Sequence, residues 1–302
     1  MFPKVPDQHK VGKPLIPNGL GVLYVLTTTL YLFSIYFLAR IYPIELGFLD
    51  HYIGGVSASL TLAVCVLFGG FMGLLDDFMD LKWRYKAFMP LIAALPLMYY
   101  AFEGLQQTPE AIRASITLPF IGELHFGAYY VFLIIPIIVM IVTNVVNMLG
   151  GLNGLETLCP AIVIVGLIAV SPVFLLMVGP LLFWLMLTYF NLRGKIFVGN
   201  AGSFAIGISV ASFAILSDLK VDLAISILPF IFNSSIILLS VFFTRKKAKV
   251  TFDGEKLCSD SRKSLVTIIV YKRPLTERKI VLIIAAVVAL FTLLGAIVTL
   301  LS

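Results

Sequence analysis

The chain is poor in charge. Only 13% of its 302 residues are Asp, Glu, Lys or Arg, 60% are hydrophobic, and mean hydropathy is +1.04. Soluble domains carry about 25% charged and about 45–50% apolar residues, so a water-soluble core could not hide this much apolar side chain. The bilayer must be the solvent for much of it. Cysteine is also scarce. Cys65, Cys159 and Cys258 form no CxxC pair, which excludes a disulfide framework and a zinc site of the usual spacing. The three histidines, His9, His51 and His125, are scattered, and no Ser-His-Asp or Cys-His set can be assembled. The first residues, MFPKVPDQHKVGKPLIPNG, are polar and Pro-rich and hold no cleavable signal. No internal repeat, low-complexity segment or second soluble domain interrupts residues 1–302, which read as a single integral-membrane domain.

Long apolar runs are what the chain does have. Runs of about 17–25 such residues mark nine candidate spans, near 20–40, 53–75, 87–103, 127–147, 155–170, 173–190, 201–217, 222–243 and 280–301. The expected fold is an all-α polytopic membrane protein. Nine crossings sort the connecting segments onto two sides, and one side collects 19 of the 22 Lys and Arg residues. Only Arg40, Arg113 and Lys220 fall on the other side or its borders. A miscounted span would scramble this asymmetry. The positive-inside rule makes the rich side cytosolic, with the N-terminus inside and the C-terminus outside. The net charge of +6 is thus a topology signal, and no nucleic-acid partner is expected. Outside, TLPFIGELHFG has a Gly-centred turn between short apolar runs and predicts a small external β-hairpin.

Four polar clusters lie on the basic side. The first is DDFMDLKWRYK, with Asp76, Asp77, Asp80, Arg84 and Lys86. Its carboxylates suit a hard cation such as Mg²⁺, and its cations suit a phosphate. Asp80 joins the pair if the helix continues for one more turn. The same residues also serve as an interfacial helix cap with ordinary topology anchors. The second is TNVVNMLGGLNGLE, with Asn144, Asn147, Asn153 and Glu156 around three glycines. It reads as an amide-lined turn whose backbone can approach a ligand, or as a helix C-cap. The third, NLRGKIFVGNAGS, places Asn200 between glycines before a span; a connecting loop explains it equally well. The fourth, TRKKAK, holds Arg245, Lys246 and Lys247; it is a pyrophosphate clamp or a membrane-surface anchor.

In order and together, PDQHKVGKPLIPNGLGV, GLLDDFMDLKWRYKAFMP, TNVVNMLGGLNGLE, FNLRGKIFVGNAGS and the RKKAK loop resemble the polyprenyl-phosphate N-acetylhexosamine-1-phosphate transferase family. The resemblance covers nearly the whole chain and is strongest to the archaeal and eukaryotic branch that uses UDP-GlcNAc and dolichyl phosphate. It implies transfer of GlcNAc-1-phosphate to the lipid phosphate, giving GlcNAc-diphospho-lipid and UMP. Mg²⁺, or Mn²⁺ in its place, is the implied cofactor. Partners are UDP-GlcNAc, the dolichyl or polyprenyl phosphate and membrane lipid, with a homodimer as a further expectation.

The resemblance also assigns residues. Asp76 and Asp77 match the catalytic acidic pair, and Asn147 and Asn200 fall on metal-ligand positions. Lys86 matches a lysine that neutralises the lipid phosphate. Asn144 belongs with the substrate-binding amides. Asn153 and the Pro6–Gln8 stretch around Asp7 fall on nucleotide-sugar contacts, as does Asn18, where Glu is common. Arg245, Lys246 and Lys247 approximate a basic triplet for the diphosphate. Asn200 departs from the family, which has Asp there. It keeps an oxygen ligand, loses a charge, and raises the alternative of a catalytically impaired relative that still binds nucleotide sugar or lipid phosphate. The loop 244–279 has no His, unlike bacterial relatives acting on undecaprenyl phosphate, and no long insertion. Both traits favour a dolichyl-type acceptor and an archaeal plasma membrane, the ER being the eukaryotic equivalent. A transporter would need ionisable groups inside its spans; these spans are nearly free of them.

Overall fold

The computed structural model describes residues 2–107, 114–118, 122–245 and 249–301. Each of the nine apolar runs forms a helix or a helix pair. Among the described residues, seven helices are long and apolar enough to cross a membrane. They are α1 (Gly21–Ile41), α2 (Ala58–Met79), α3 (Trp83–Gln107), α4 (Tyr130–Met148), α6 (Leu175–Leu192), α7 (Gly199–Leu216) and α9 (Glu277–Leu301). Between them α5 (Leu155–Val170) is shorter but apolar, and α8 is a pair, Lys220–Ser226 and Leu228–Phe243, bent by 53°. The chain is an integral membrane protein. The bend in α8 falls just before Pro229, which has no N–H to continue the helical ladder.

Three boundaries differ from the sequence reading, each for a local reason. Residues before α2 form a small hairpin, β3 (Tyr52–Ile53) with β4 (Val56–Ser57). Its turn residues Gly54 and Gly55 have positive φ, so α2 starts at Ala58 and not near 53. At its other end α2 runs through Asp76 and Asp77, which therefore lie in its last turn and not in a loop. Asp80 caps that helix in the left-handed region (φ 44°) with its side chain in solvent, and it joins Asp76 only through Lys86, whose Nζ lies 3.7 Å from Asp80 Oδ1 and 2.8 Å from Asp76 Oδ1. The segment Trp83–Lys86 is likewise helical and opens α3. The TLPFIGELHFG region forms an antiparallel pair, β5 (Ser115–Leu118) with β6 (Gly122–His125), with Ser115 opposite His125; its tip, 119–121, lies outside the described residues.

Helix α7 is the axis of the bundle. Its 18-residue stretch is 83% buried, against 39% for α1 and α9. Its sequence, GNAGSFAIGISVASFAIL, is rich in small residues, which let neighbouring backbones approach where lipid provides no hydrophobic drive. A Cβ on Gly73 of α2 would lie 2.1 Å from the Asn200 carbonyl oxygen, and one on Gly21 of α1 would lie 2.1 Å from Gly202 Cα. Tyr24 of α1 donates to Ser209 of α7 at 2.9 Å. These contacts bring the polar ends of α1, α2, α4 and α7 to one end of the bundle. The β5/β6 hairpin connects α3 and α4 at the other.

Two further hairpins cover the polar end: β1 (Lys4–Pro6) with β2 (Leu15–Pro17), and β7 (Thr251–Phe252) with β8 (Leu257–Cys258). The first is stapled to the segment before α7. Phe197 N–H donates to the Pro17 carbonyl at 2.8 Å, and Gly21 N–H donates to Val198 at 2.9 Å.

Candidate active site

The end of α2 separates its two acids. Asp76 is 3% exposed and turns toward α3: its Oδ1 accepts from Lys86 Nζ at 2.8 Å and from the Leu81 N–H at 3.0 Å. Its Oδ2 is buried and has no partner. Asp77 turns the opposite way, toward the start of α7. Its Oδ1 accepts from the Asn200 N–H at 2.9 Å and its Oδ2 from the Ala201 N–H at 3.0 Å. Asp77 thus caps a helix whose first turn lies 123 residues downstream, satisfying two of the N–H groups that a helix start leaves open. Gly199 (φ 69°) is required here, because a Cβ would meet Asp77 Oδ2 at 2.7 Å.

Helix α4 delivers the amides. Asn147 Nδ2 donates to Asn200 Oδ1 at 3.0 Å and to Ser203 Oγ at 2.7 Å. Asp77, Asn147 and Asn200 therefore meet, although 123 residues separate the first from the last. Asn144 is used differently. It donates to the Ala87 carbonyl at 3.1 Å and to the Met140 carbonyl at 2.8 Å, tying α4 to the first turn of α3 beside Lys86.

A cleft of about 320 Å³ opens over this junction. Its walls include Asp7, Asn18, Asp77, Asn153, Glu156 and Asn200. All six were singled out in the sequence and share one cavity, and Asn147 adjoins it through Asn200. Asp76, Lys86 and Asn144 stand beside it, on the α2–α3–α4 side. Arg245 ends α8 in the left-handed region (φ 51°) and is exposed; Lys246 and Lys247 lie outside the described residues.

Asn153 belongs to a second polar layer. Its Nδ2 donates to Asp7 Oδ2 at 2.8 Å and to Glu277 Oε1 at 3.2 Å, and its backbone N–H donates to Glu277 Oε1 at 2.8 Å. Lys10 pairs with the other Glu277 oxygen. Below it, Asn191 Oδ1 accepts from the Gly154 N–H at 2.7 Å and from Thr157 at 3.2 Å, which fixes the glycine turn before α5. Glu277 is a residue that sequence reasoning missed. Its only signal was an acid opening the last span after a basic loop, and nothing local links it to Asn153.

The donor set has a definite chemical character. Asp77, Glu156, Asn147 and Asn200 offer carboxylate and amide oxygens, with no thiol or imidazole among them, which fits Mg²⁺ or Mn²⁺ better than zinc. Among the described residues no group of three or more His, Cys, Asp and Glu forms a metal cage.

A bundle of membrane spans with an oxygen-lined cleft at one end, roofed by a hairpin, is the architecture of a membrane enzyme acting on a polar substrate at the bilayer surface. Residues 59–218 match the model of glycosyl transferase family 4, and the chain belongs to that family. A Saccharolobus solfataricus protein, provisionally named UDP-N-acetylglucosamine–dolichyl-phosphate N-acetylglucosaminephosphotransferase, is 28% identical over 236 residues, covering 75% of this chain and 70% of that protein. A Sulfolobus acidocaldarius protein with the same provisional name is 27% identical over 303 residues, covering 96% of this chain and 86% of the relative. The Schizosaccharomyces pombe enzyme of that name is 27% identical over 158 residues, 42% of this chain and 34% of its own length.

Proposed function

We propose that this chain transfers GlcNAc-1-phosphate from UDP-GlcNAc to dolichyl phosphate, releasing UMP. The observation that carries the reading is the meeting of Asp77, Asn147 and Asn200 at the start of α7, in a cleft shared with Asp7, Asn18 and Asn153. The matched relatives bear the name of that activity, which supports the choice of substrates.

In the reaction a lipid-phosphate oxygen attacks the phosphorus that carries the sugar. The bond from that phosphorus to the bridging oxygen breaks, and UMP leaves with the bridging oxygen. Phosphoryl transfer needs positioning and charge neutralisation more than covalent help. The lipid phosphate is already anionic near neutral pH, so no dedicated base is required. Lys86, held by Asp76, is the cation for the incoming lipid phosphate, and Asp76 acts through it as a positioning residue. Asn153, Asp7 and Asn18 receive the nucleotide end. Asp77, Asn147, Asn200 and Glu156 would hold Mg²⁺, which when bound supplies neutralisation of the donor diphosphate. An adjoining groove of about 390 Å³, lined by Leu149, Ile237, Val241 and Val266, borders the same glycine turn and offers an apolar path for the start of the lipid chain. The basic surplus at this end supports a cytosolic active site, in the plasma membrane of an archaeon.

The test is direct. Purified protein is given labelled UDP-GlcNAc, dolichyl phosphate and Mg²⁺, and UMP release is measured. Lipid-dependent UMP release is expected; none at any Mg²⁺ concentration would overturn the reading. Asn200 favours a second reading, a relative that binds nucleotide sugar without turning it over. UDP-GlcNAc binding without UMP release would establish that one instead.

A further inference from the structure

The loop before α9 carries a further hollow, of about 590 Å³, which shares no lining residue with the cleft or the apolar groove. Its walls are Arg262, Ile268, Ile269, Tyr271, Lys272 and Arg273. Three of these are cations and none is an acid. Arg262 Cζ stands 4.2 Å from the centre of the Tyr271 ring, and Lys272 Nζ stands 5.4 Å from the same ring. The ring face attracts both charges, while their mutual repulsion favours an anion between them. Lys10, Lys86 and Lys220 each hold a carboxylate; among the described residues no ion pair joins one to Arg262, Lys272 or Arg273.

The backbone fixes this arrangement before any ligand arrives. Ser259 N–H donates to the Val270 carbonyl at 3.2 Å, and Lys272 N–H donates back to the Ser259 carbonyl at 3.1 Å. Ser259 Oγ donates to the Lys249 carbonyl at 2.7 Å and accepts from the Ser261 N–H at 3.2 Å. The stretch leading to Arg262 is thereby fastened to the turn that carries Tyr271 and Lys272. Lys272 itself lies in the left-handed region (φ 53°), which glycine occupies more cheaply. Arg273 shortly precedes Glu277, the first residue of α9, so the hollow stands where a span leaves the bilayer. Ile268, 37% exposed, adds apolar surface beside the cations.

We propose that Arg262, Lys272 and Arg273 form a site for the phosphodiester head group of an anionic membrane lipid, with Ile268 and Ile269 against the first carbons of its chains. Guanidinium and ammonium donors suit phosphate oxygens. A zwitterionic lipid would bring its own ammonium among three cations and be repelled. This lipid is not the acceptor, whose phosphate is assigned to Lys86 on another element. Basic residues at a membrane surface attract anionic lipid in any arrangement. A built site differs in depending on these cations and not on their exposed neighbours Arg278 and Lys279.

Binding of dioleoylphosphatidylglycerol and of dioleoylphosphatidylcholine to the delipidated full-length protein in neutral detergent, counted by native mass spectrometry, tests this. The anionic lipid should bind about tenfold tighter. Arg262→Gln with Lys272→Gln should weaken its binding about thirtyfold and leave phosphatidylcholine unchanged. Arg278→Gln with Lys279→Gln removes the same charge nearby and should change it by less than about twofold. Arg273→Gln should weaken it about fivefold and decides the matter if the first pair does not fold. Equal losses in the two double variants, or no preference for the anionic lipid, overturn the site. So does release of the lipid by millimolar inorganic phosphate, which would make a soluble anion the occupant.

Discussion

Asn200→Asp adds a full negative charge beside Asp77. Asp77 Oδ1 already accepts from the Asn200 N–H at 2.9 Å, so the two carboxylates would stand roughly 5 Å apart in a half-buried site. At an effective dielectric of about 20 that repulsion is about 3 kcal/mol. The first turn of α7 favours negative charge and returns about 0.5–1 kcal/mol. Without a divalent cation the variant should therefore be less stable by about 2 kcal/mol, a fall in melting temperature of about 3 °C for a chain of this size. A cation between the two carboxylates reverses the sign. In Mg²⁺ the melting temperature should return to or pass that of the native protein, and apparent Mg²⁺ affinity should tighten about tenfold, equivalent to about 1.4 kcal/mol. Turnover should equal or exceed that of the native sequence. Thermal melting in EDTA and in Mg²⁺, and UMP release against Mg²⁺ concentration, read the two effects separately. Identical melting in both conditions, or a large loss of turnover, would refute the assignment of position 200 to the metal.

Asp77→Ala should abolish UMP release while the protein is still made and inserted. It should also cost about 1–2 kcal/mol of stability through the lost cap on α7, and unchanged turnover would remove Asp77 from the site. Lys86→Met strands the buried Asp76 carboxylate. Because Lys86 is itself 28% exposed, a loss of about 2 kcal/mol is expected rather than the full cost of breaking a buried pair, and Lys86→Met with Asp76→Asn should recover part of it in a melting experiment. Gly73→Ala forces a methyl against the Asn200 backbone carbonyl. It should lower stability by about 2 kcal/mol and shift α7 enough to weaken Mg²⁺-dependent turnover; a native melting temperature would show that the close approach is not needed.

Legibility followed the range of each interaction. The spans could be read because apolar length is counted along the chain, and α8 deviated only where Pro229 broke its ladder. The β5/β6 hairpin was readable from a glycine turn between short apolar runs. The acidic pair was recognisable as a motif, yet its division was not. Adjacent residues on a helix point about 100° apart, and which neighbour each one meets depends on what packs there. Asp76 meets Lys86, ten residues on; Asp77 meets the start of α7. Glu277 was invisible for the same reason, since its partners Lys10 and Asn153 lie 267 and 124 residues away.

By itself, the sequence determined that the chain lives in a membrane and roughly which stretches form its apolar helices, and it grouped the polar clusters, three of which the structure brings to one end. Those properties come from local apolar length and from charge counted loop by loop. Only the tertiary structure decided that small residues on α7 draw four helix ends together, that one aspartate caps a distant helix while its neighbour holds a lysine, and that two acids meet at one amide. Those outcomes depend on backbone approach between segments far apart in the chain, which no local pattern encodes.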